Sequence, residues 1–382
     1  MRRVVVTGAG TVNPLGDVSG TFRAMEAGTS AIGPLDLPDL DRLSIRIGAR
    51  ASVPDLDLGA WADPFATMAV AAARQAVAGA DLPPGTGVIL GSAGGGLQTV
   101  DAAYRAVYAE RRDRVHPFTV PRLMASAAPS LVARDLGLTG PSFTVASACA
   151  SATHAIGLAF QMIRGGADVM LAGGSEAMIC FGGIKAWEGL RVLSPTACRP
   201  FSKGRDGMVM GEGAAVFLLE ERAHALARGA RILAEITGFA MSAEAGDIVA
   251  PSAPAAEAVI RAALDDARLT PGDIGHVNAH GTGTQANDRC EAEALARVFG
   301  PIPVTATKSL HGHLIGASGA VELLGVLLGL QGTIPATAGF LGPDPAAPVD
   351  LVTTARKVSP RAVVKTSFAF GGLNAVLVLA PG

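Results

Sequence analysis

Short apolar runs recur along the chain at intervals that leave room for a helix between most of them. They read "RRVVVTG", "TGVILGS", "SFTVASA", "DVMLAGG", "AAVFLLE", "ILAEITG", "IGHVNAH", "IPVTATK", "AVVKTSF" and "NAVLVLA". The runs are apolar at consecutive positions rather than alternate ones, as expected of strands covered on both faces. Ala- and Leu-rich stretches with helical spacing fill the intervals. Together these features predict an α/β fold whose sheets lie between helical layers. The chain has 382 residues, 49% of them hydrophobic, so a large core is available. No low-complexity linker divides it, and one compact unit is expected.

The two parts of the chain echo each other. A strand running into small residues and then a helix occurs at "FTVASACASATHAIG" and again at "VTATKSLHGHLIGASG". Each part closes on a glycine-flanked apolar strand, "GEGAAVFLLEE" and "GGLNAVLVLAP". We read this as a duplication with its seam near Gly238 to Gly246, dividing the chain into residues 1–240 and 241–382.

Charge excludes some classes of function. The balance is 31 basic to 33 acidic side chains, which is neither a nucleic-acid-binding surface nor an acidic tail. No apolar stretch reaches the roughly 18 uninterrupted residues a membrane span needs. The opening "MRRVVVTGAG" does not read as a secretory signal, so a cytoplasmic protein is expected. The four cysteines, Cys149, Cys180, Cys198 and Cys290, lack metal-ligand spacing, and neither disulfides nor a metal centre is expected.

Two glycine-rich turns imitate nucleotide sites. In "VTGAGTVNPLG" the third glycine of a dinucleotide fingerprint is replaced by Asn13, and no acidic strand end follows at the ribose distance. "GSAGGGLQT" lacks the Lys-Ser/Thr of a phosphate loop. Both are tight turns between strand and helix.

Three other segments carry chemistry. "VASACASATHAIG" delivers Cys149 among tiny side chains to the start of a helix, where unpaired backbone N–H groups are expected to favour thiolate. "NAHGTGT" puts His280 just past a strand, where α/β folds meet their ligands. "TKSLHGHLIGASG" places Lys308, His311 and His313 within six residues. A single histidine is usually structural. A helix-start cysteine with two strand-end imidazoles describes a nucleophile and its activating groups.

These segments, with "SFAFGGLNAVLV", "DVMLAGGSEA" and "RPFSKGRDGMVMGEGAAVFLLEE", resemble the motifs of β-ketoacyl-acyl-carrier-protein synthases of the Cys-His-His elongating type. The resemblance runs over essentially the whole chain. It is similar to synthase II and to the nodulation-type and polyene-pathway ketosynthases, to which "KAWEGLRVLSP" and "SFAFGG" are also similar. The family implies a thiolase fold, two βαβαβαββ halves in five layers (αβαβα), and usually a dimer.

The resemblance also implies roles. Cys149 takes an acyl group from a carrier protein. His280 and His313 hydrogen-bond the malonyl thioester carbonyl as carbon dioxide leaves. The N–H groups of Cys149 and Phe370 form an oxyanion hole, and Phe370 is the gating aromatic. Lys308 and Glu322 form a supporting pair expected to orient His313. Thr282 and Thr284 meet the phosphopantetheine arm. Phe368, Gly371 and Gly372 fall on the substrate side of "SFAFGGLN", with Asn374 supporting. No free cofactor is implied, because the phosphopantetheine arrives on the acyl carrier protein.

Departures from the family pattern bear on gating and docking. Ala369 stands where Gly is usual and Leu373 where Thr is usual, so the loop between them is expected to move differently. His311 reads as a neighbour of the site rather than a third base. "DLDLGAWADPFATMAVAAARQA" contains no lysine and one arginine, although relatives commonly dock the acidic carrier on a basic helix there. Docking is then expected to rest on Arg122, Arg199, Lys203, Arg205 or a partner subunit, in a homodimer or a heterodimer with a related chain. Two readings compete with a condensing enzyme. A thiolase acting on coenzyme A thioesters would need a second cysteine near the C-terminus, and none follows Cys290. A non-catalytic, chain-length-setting subunit would usually lack the nucleophile.

Overall fold

The computed structural model describes residues 2–382. Eleven strands form one ladder: β1 (Val4–Val12), β2 (Gly87–Gly91), β3 (Ser142–Val145), β4 (Val169–Glu176), β5 (Gly213–Glu221), β6 (Ala234–Ala243), β7 (Ile274–Asn278), β8 (Pro303–Thr305), β9 (Asp350–Leu351), β10 (Ala362–Ala369) and β11 (Leu373–Ala380). Their spatial order is β9-β8-β7-β10-β11-β6-β1-β5-β4-β2-β3.

Read outward from the centre, the order reveals the duplication. On one side β1 is followed by β5, β4, β2 and β3; on the other β6 is followed by β11, β10, β7 and β8. In both series the first two neighbour pairs are antiparallel and the next two parallel. The halves meet where Val4, Val5 and Val6 pair with Ile236, Glu235 and Ala234. By this symmetry the second half opens with β6, ahead of the division expected between residues 240 and 241, which would cut that strand.

Two helices occupy the middle layer. These are α2 (Ser151–Arg164) and α6 (Ser318–Leu330), which pack on each other and on strands of both halves. In α6 every residue from Ser318 to Gly329 is buried, so this helix is apolar all round because it has no solvent face. Leu323, Leu324, Leu327 and the other buried aliphatics there each contribute about 1.5–3 kcal/mol. A charge at Val321, fully buried among them, would break the layer.

The outer layers are amphipathic helices with conventional starts. In the first half α1 (Pro64–Ala76) is capped by Asp63, whose side chain accepts from Phe65 N–H, with proline at the first turn. In the second half α4 (Ala253–Ala267) is capped by Ser252 and α5 (Gln285–Phe299) by Thr284. Separate apolar cores lie beneath each outer layer and a third surrounds the middle helices, which gives the five layers of a thiolase fold. Among the described residues no helix is long and apolar enough to cross a membrane.

Candidate active site

Cys149 sits in a single 3-10 turn, Ala148–Ala150, that leads into α2. Small residues are required here because the helix start lies almost on the sheet. A Cβ on Gly91 of β2 would come within 2.3 Å of the Ala152 nitrogen. Ala148, just before the nucleophile, has φ of 47°, a left-handed conformation costly for any residue with a side chain. Ser151 Oγ accepts the Ser147 N–H at 2.9 Å and bonds the Ala148 carbonyl at 2.7 Å, holding this elbow.

The second half repeats the device with a different result. The 3-10 turn Ile315–Ala317 precedes α6, and Ile315 has φ of 45°. The position matching Cys149 is Gly316, whose Cβ would lie 2.5 Å from both Ala93 N and Glu176 Oε2. This elbow therefore presents no nucleophile, and instead holds the imidazole of His313. The Ile315 N–H donates to His313 Nδ1 at 3.0 Å, and Ser318 Oγ lies 2.8 Å from the same nitrogen.

His280 lies two residues beyond β7. Its backbone N–H donates to Glu291 Oε1 on α5 at 2.8 Å and to Thr366 Oγ1 at 3.0 Å. Glu291 Oε2 also accepts the Gly281 N–H at 2.8 Å. Lys308 Nζ lies 3.1 Å from His280 Nδ1 and also bonds the His280 carbonyl and Glu322 Oε1. The sequence expectation is corrected here: Lys308 orients His280, whereas His313 is held by its own loop.

These contacts determine the tautomers. A backbone N–H and an ammonium can only donate, so Nδ1 of each imidazole accepts and Nε2 carries the hydrogen. Burial and the nearby Lys308 and Lys365 charges hold both histidines well below the usual imidazole range, so they are neutral. The two rings stand edge to face, 5.5 Å apart and at 85°. Nitrogen atoms of both rings and Cys149 Sγ all lie within 4.8 Å of one another. The grouping has the spacing of metal ligands. A metal, however, needs a ring nitrogen lone pair, and both Nδ1 lone pairs are already taken by N–H donors. This donor set can offer two N–H groups to a negatively charged oxygen.

The thiol differs from the sequence reading. Burial pushes Cys149 up to about 12, and Lys308 only partly offsets this. Desolvation of the thiolate outweighs the helix-start N–H groups, so the resting group is a thiol.

A cleft of about 100 Å³ opens onto these groups, lined by Cys149, His280, His313, Thr282, Thr284, Phe368, Phe370, Gly372 and Asn374. Phe368 is buried with its ring edge-on to His280 at 6.3 Å. Thr282 and Thr284 hydroxyls bond each other at 2.9 Å, and Thr284 also accepts the Asn287 N–H as the cap of α5. Gly371 does not line the cleft. Its N–H donates to the Ile248 carbonyl at 2.7 Å, tying the β10–β11 turn to residues 244–251, which roof the cleft. Asn374 Nδ2 supports the same roof through Glu244 Oε1 at 2.8 Å. Phe370 stacks on Trp187 of α3 (Phe181–Gly189), 6.1 Å between centroids and 26° between planes. His311 is buried outside the cleft, bonded to Thr307 Oγ1 and the Gly312 carbonyl.

Family descriptions cover most of the chain: "Beta-ketoacyl synthase, N-terminal domain" matches residues 1–225 and "Beta-ketoacyl synthase, C-terminal domain" residues 233–341. The chain belongs to the β-ketoacyl synthase family. Curated relatives agree over their full length. Nodulation protein E of Rhizobium sp. (strain N33) is 44% identical, covering 98% of each chain. A 3-oxoacyl-[acyl-carrier-protein] synthase 2 of Staphylococcus aureus (strain COL) is 37% identical, covering 99% of this chain and 98% of the relative. Among solved structures, the ishigamide ketosynthase/chain length factor superposes with a TM-score of 0.94 at 34% identity, covering 100% of this chain and 99% of that one. A type II polyketide ketosynthase solved in complex with its acyl-carrier protein superposes at 0.91 with 27% identity over 100% and 99%. The chain is thus a condensing enzyme of the acyltransferase class.

Several β-ketoacyl synthase site features escaped the sequence reading. Lys365, fully buried on β10, forms an ion pair with Glu322 Oε2 at 2.6 Å. Its only sequence signal is a lysine inside the apolar run "AVVKTSF". Glu291 could have been suspected as an acid on the apolar side of α5. Glu176 accepts the N–H groups of Ala93, Gly94 and Gly316, which joins a glycine turn of the first half to the His313 loop of the second. One docking candidate is removed: the Arg205 side chain is fully buried against Asp288 and Asp344 and offers no surface charge.

Proposed function

We propose that this chain elongates an acyl chain held on Cys149 with a malonyl unit delivered by an acyl carrier protein. The observation that carries the reading is the convergence of a buried thiol with two neutral imidazoles that both present Nε2–H. In the first step Cys149 Sγ attacks the acyl thioester, with the N–H groups of Cys149 and Phe370 receiving the oxyanion. The carrier's sulfur leaves and takes the cysteine proton, so a protonated resting thiol suits the exchange. In the second step the malonyl C–CO₂ bond breaks and its electron pair moves into an enolate whose oxygen lies between His280 and His313. The enolate carbon attacks the acyl-cysteine carbonyl. The C–S bond to Cys149 breaks, and the departing thiolate, which carries the charge the malonyl carboxylate lost as carbon dioxide, takes a proton from water to return to the thiol. The product is a β-ketoacyl thioester on the carrier, and splitting one hard step into two is the gain from covalent catalysis.

The reaction uses no free cofactor, since the phosphopantetheine belongs to the carrier and meets Thr282 and Thr284. With Arg205 buried, docking of an acidic carrier falls to exposed cations such as Lys203, Arg111, Arg112 and Arg114. A second ketosynthase-like chain is a further partner. β3 ends the sheet with Phe143 39% exposed, and Tyr104 and Tyr108 stand 62% and 69% exposed, surface that a monomer leaves wet. Four free, buried cysteines fit a cytoplasmic setting.

Intact-protein mass spectrometry tests the reading. A ladder of acyl-carrier thioesters is expected to add one acyl mass to the wild type and none to Cys149→Ala, and malonyl-carrier protein is expected to discharge it. Absence of acylation across saturated and unsaturated chains, alone and with a partner subunit, overturns it.

A further inference from the structure

Behind His280 the structure holds two lysines, with one glutamate between them. Lys308 spends its three N–H donors on Glu322 Oε1, the His280 carbonyl and His280 Nδ1. Lys365 donates to Ser367 Oγ at 2.7 Å and to the Thr366 carbonyl, and forms an ion pair with Glu322 Oε2 at 2.6 Å that is not aligned as a hydrogen bond. Ser367 Oγ, which accepts from the ammonium, also hydrogen-bonds Thr153 Oγ1, 2.8 Å away on α2. That contact is made where α6 comes closest to α2: a Cβ on Gly319 would lie 2.1 Å from Thr153 Oγ1.

We propose that Lys365 is a positioning residue for malonyl decarboxylation: it takes the second oxygen of Glu322, fixing the carboxylate that holds Lys308 on His280 Nδ1. Through Ser367 and Thr153 it also ties this assembly to α2, the helix that follows the Cys149 turn. The inference rests on the condensing reaction proposed above.

Three observations support it. First, Glu322 is completely buried and its Oε2 accepts no hydrogen bond, so loss of the Lys365 ion pair would leave that oxygen without a counter-charge and free the group to turn about Lys308. Second, two ammoniums around one carboxylate leave a net positive charge in the interior. That charge is among the causes holding His280 and His313 neutral, whereas the Cys149 thiol answers chiefly to its burial and to Lys308, Glu322 and Glu176. Third, a lysine in the middle of a buried strand costs stability that an aliphatic side chain there would not. The cost is understandable if the charge, its ion pair and its two hydrogen bonds serve the site.

The test compares wild type with Lys365→Met, a chain of similar length without donors. Acylation of Cys149 is read by intact mass, and carbon dioxide release from malonyl-carrier protein is read on the acylated enzyme across pH 5.5 to 8. The expected result is acylation within about threefold of wild type and decarboxylation down at least about tenfold, less than the hundred- to thousandfold seen when an oxyanion donor is removed outright, because Lys365 acts through Glu322 and Lys308. The acid limb of decarboxylation should move to higher pH as the histidines lose a cationic neighbour. Lys365→Gln, which removes the charge but keeps a donor for Ser367 Oγ, is read the same way if Lys365→Met does not fold. Equal losses in both half-reactions, or no loss in either, in whichever variant melts as wild type does, overturn this inference alone. A wild-type chain that forms no acyl-enzyme overturns the proposed function, and this inference with it.

Discussion

Lys308 Nζ approaches His280 Nδ1 at 3.1 Å and so commits the Nε2 hydrogen of that ring to the cleft. The same tautomer is imposed on His313 by a backbone N–H, at 3.0 Å. One histidine therefore depends on a replaceable side chain and the other on a loop conformation. Lys308→Met is expected to lower decarboxylation about a hundredfold while Cys149 still accepts acyl groups. Separate assays of acyl transfer and carbon dioxide release check this, and a parallel fall in both would remove Lys308 from its tautomer-setting role.

His313→Ala removes one of the two N–H donors to the enolate oxygen without touching the nucleophile's elbow. Its decarboxylation rate is expected to drop by about a hundred- to thousandfold, with acyl-enzyme formation nearly unchanged. His280→Ala should behave alike, with a larger loss of stability, because it leaves a buried donor of Lys308 unpaired.

Burial pushes the Cys149 thiol up to about 12. Alkylation by iodoacetamide is therefore expected to accelerate close to tenfold per pH unit from pH 7 to pH 9, with no plateau. A plateau below pH 8 in a plot of rate against pH would mean that the thiolate is stabilised after all.

Burial lowers His154, His276, His280, His311 and His313. A neutral folded-state imidazole has a depressed pKa, so the unfolded chain binds more protons once pH falls below about 6.5, and stability drops with falling pH. Each group contributes up to about 1.4 kcal/mol per pH unit in that range, and the loss is absent above it. Burial raises Asp63, Glu176, Glu212, Asp288 and Glu291, which take up protons in the folded chain over the same range and oppose this loss, so urea midpoints measured from pH 8 to pH 5 should fall far less than five buried histidines alone would require. Because His280 and His313 are held low, decarboxylation should show no acid limb near pH 6.5.

Trp187 stacks on Phe370, and the resemblance makes Phe370 the gate. A stack of this kind is worth about 0.5–1.5 kcal/mol, so Trp187→Ala should speed acylation by a few-fold if opening limits it. Stopped acylation series with short and long acyl groups provide the measurement. No change for any chain length would show that the stack does not restrain the loop.

Much of the site was legible because its segments are local. A strand end, a run of small residues and a reactive side chain occupy about ten consecutive positions in "VASACASATH", "NAHGTGT" and "TKSLHGHLIGASG", and the strand-helix alternation placed those ends together. The partners behind them were less legible. Glu322 meets Lys365 across 43 positions of chain and Ser367 meets Thr153 across 214. Arg205 read as a surface cation in a polar stretch because nothing in "SKGRDG" announces that Asp288 and Asp344 would enclose it.

Sequence alone determined the α/β alternation, its duplication, and the identity and order of one thiol and two imidazoles, because apolar periodicity and side-chain chemistry are local properties. Tertiary structure alone decided the protonation state of the thiol, the tautomer of each imidazole, the histidine that Lys308 serves, and the presence of a second lysine on Glu322. Each of these depends on burial and on donors brought from distant segments. Desolvation and hydrogen-bond geometry come into being only when the five layers close.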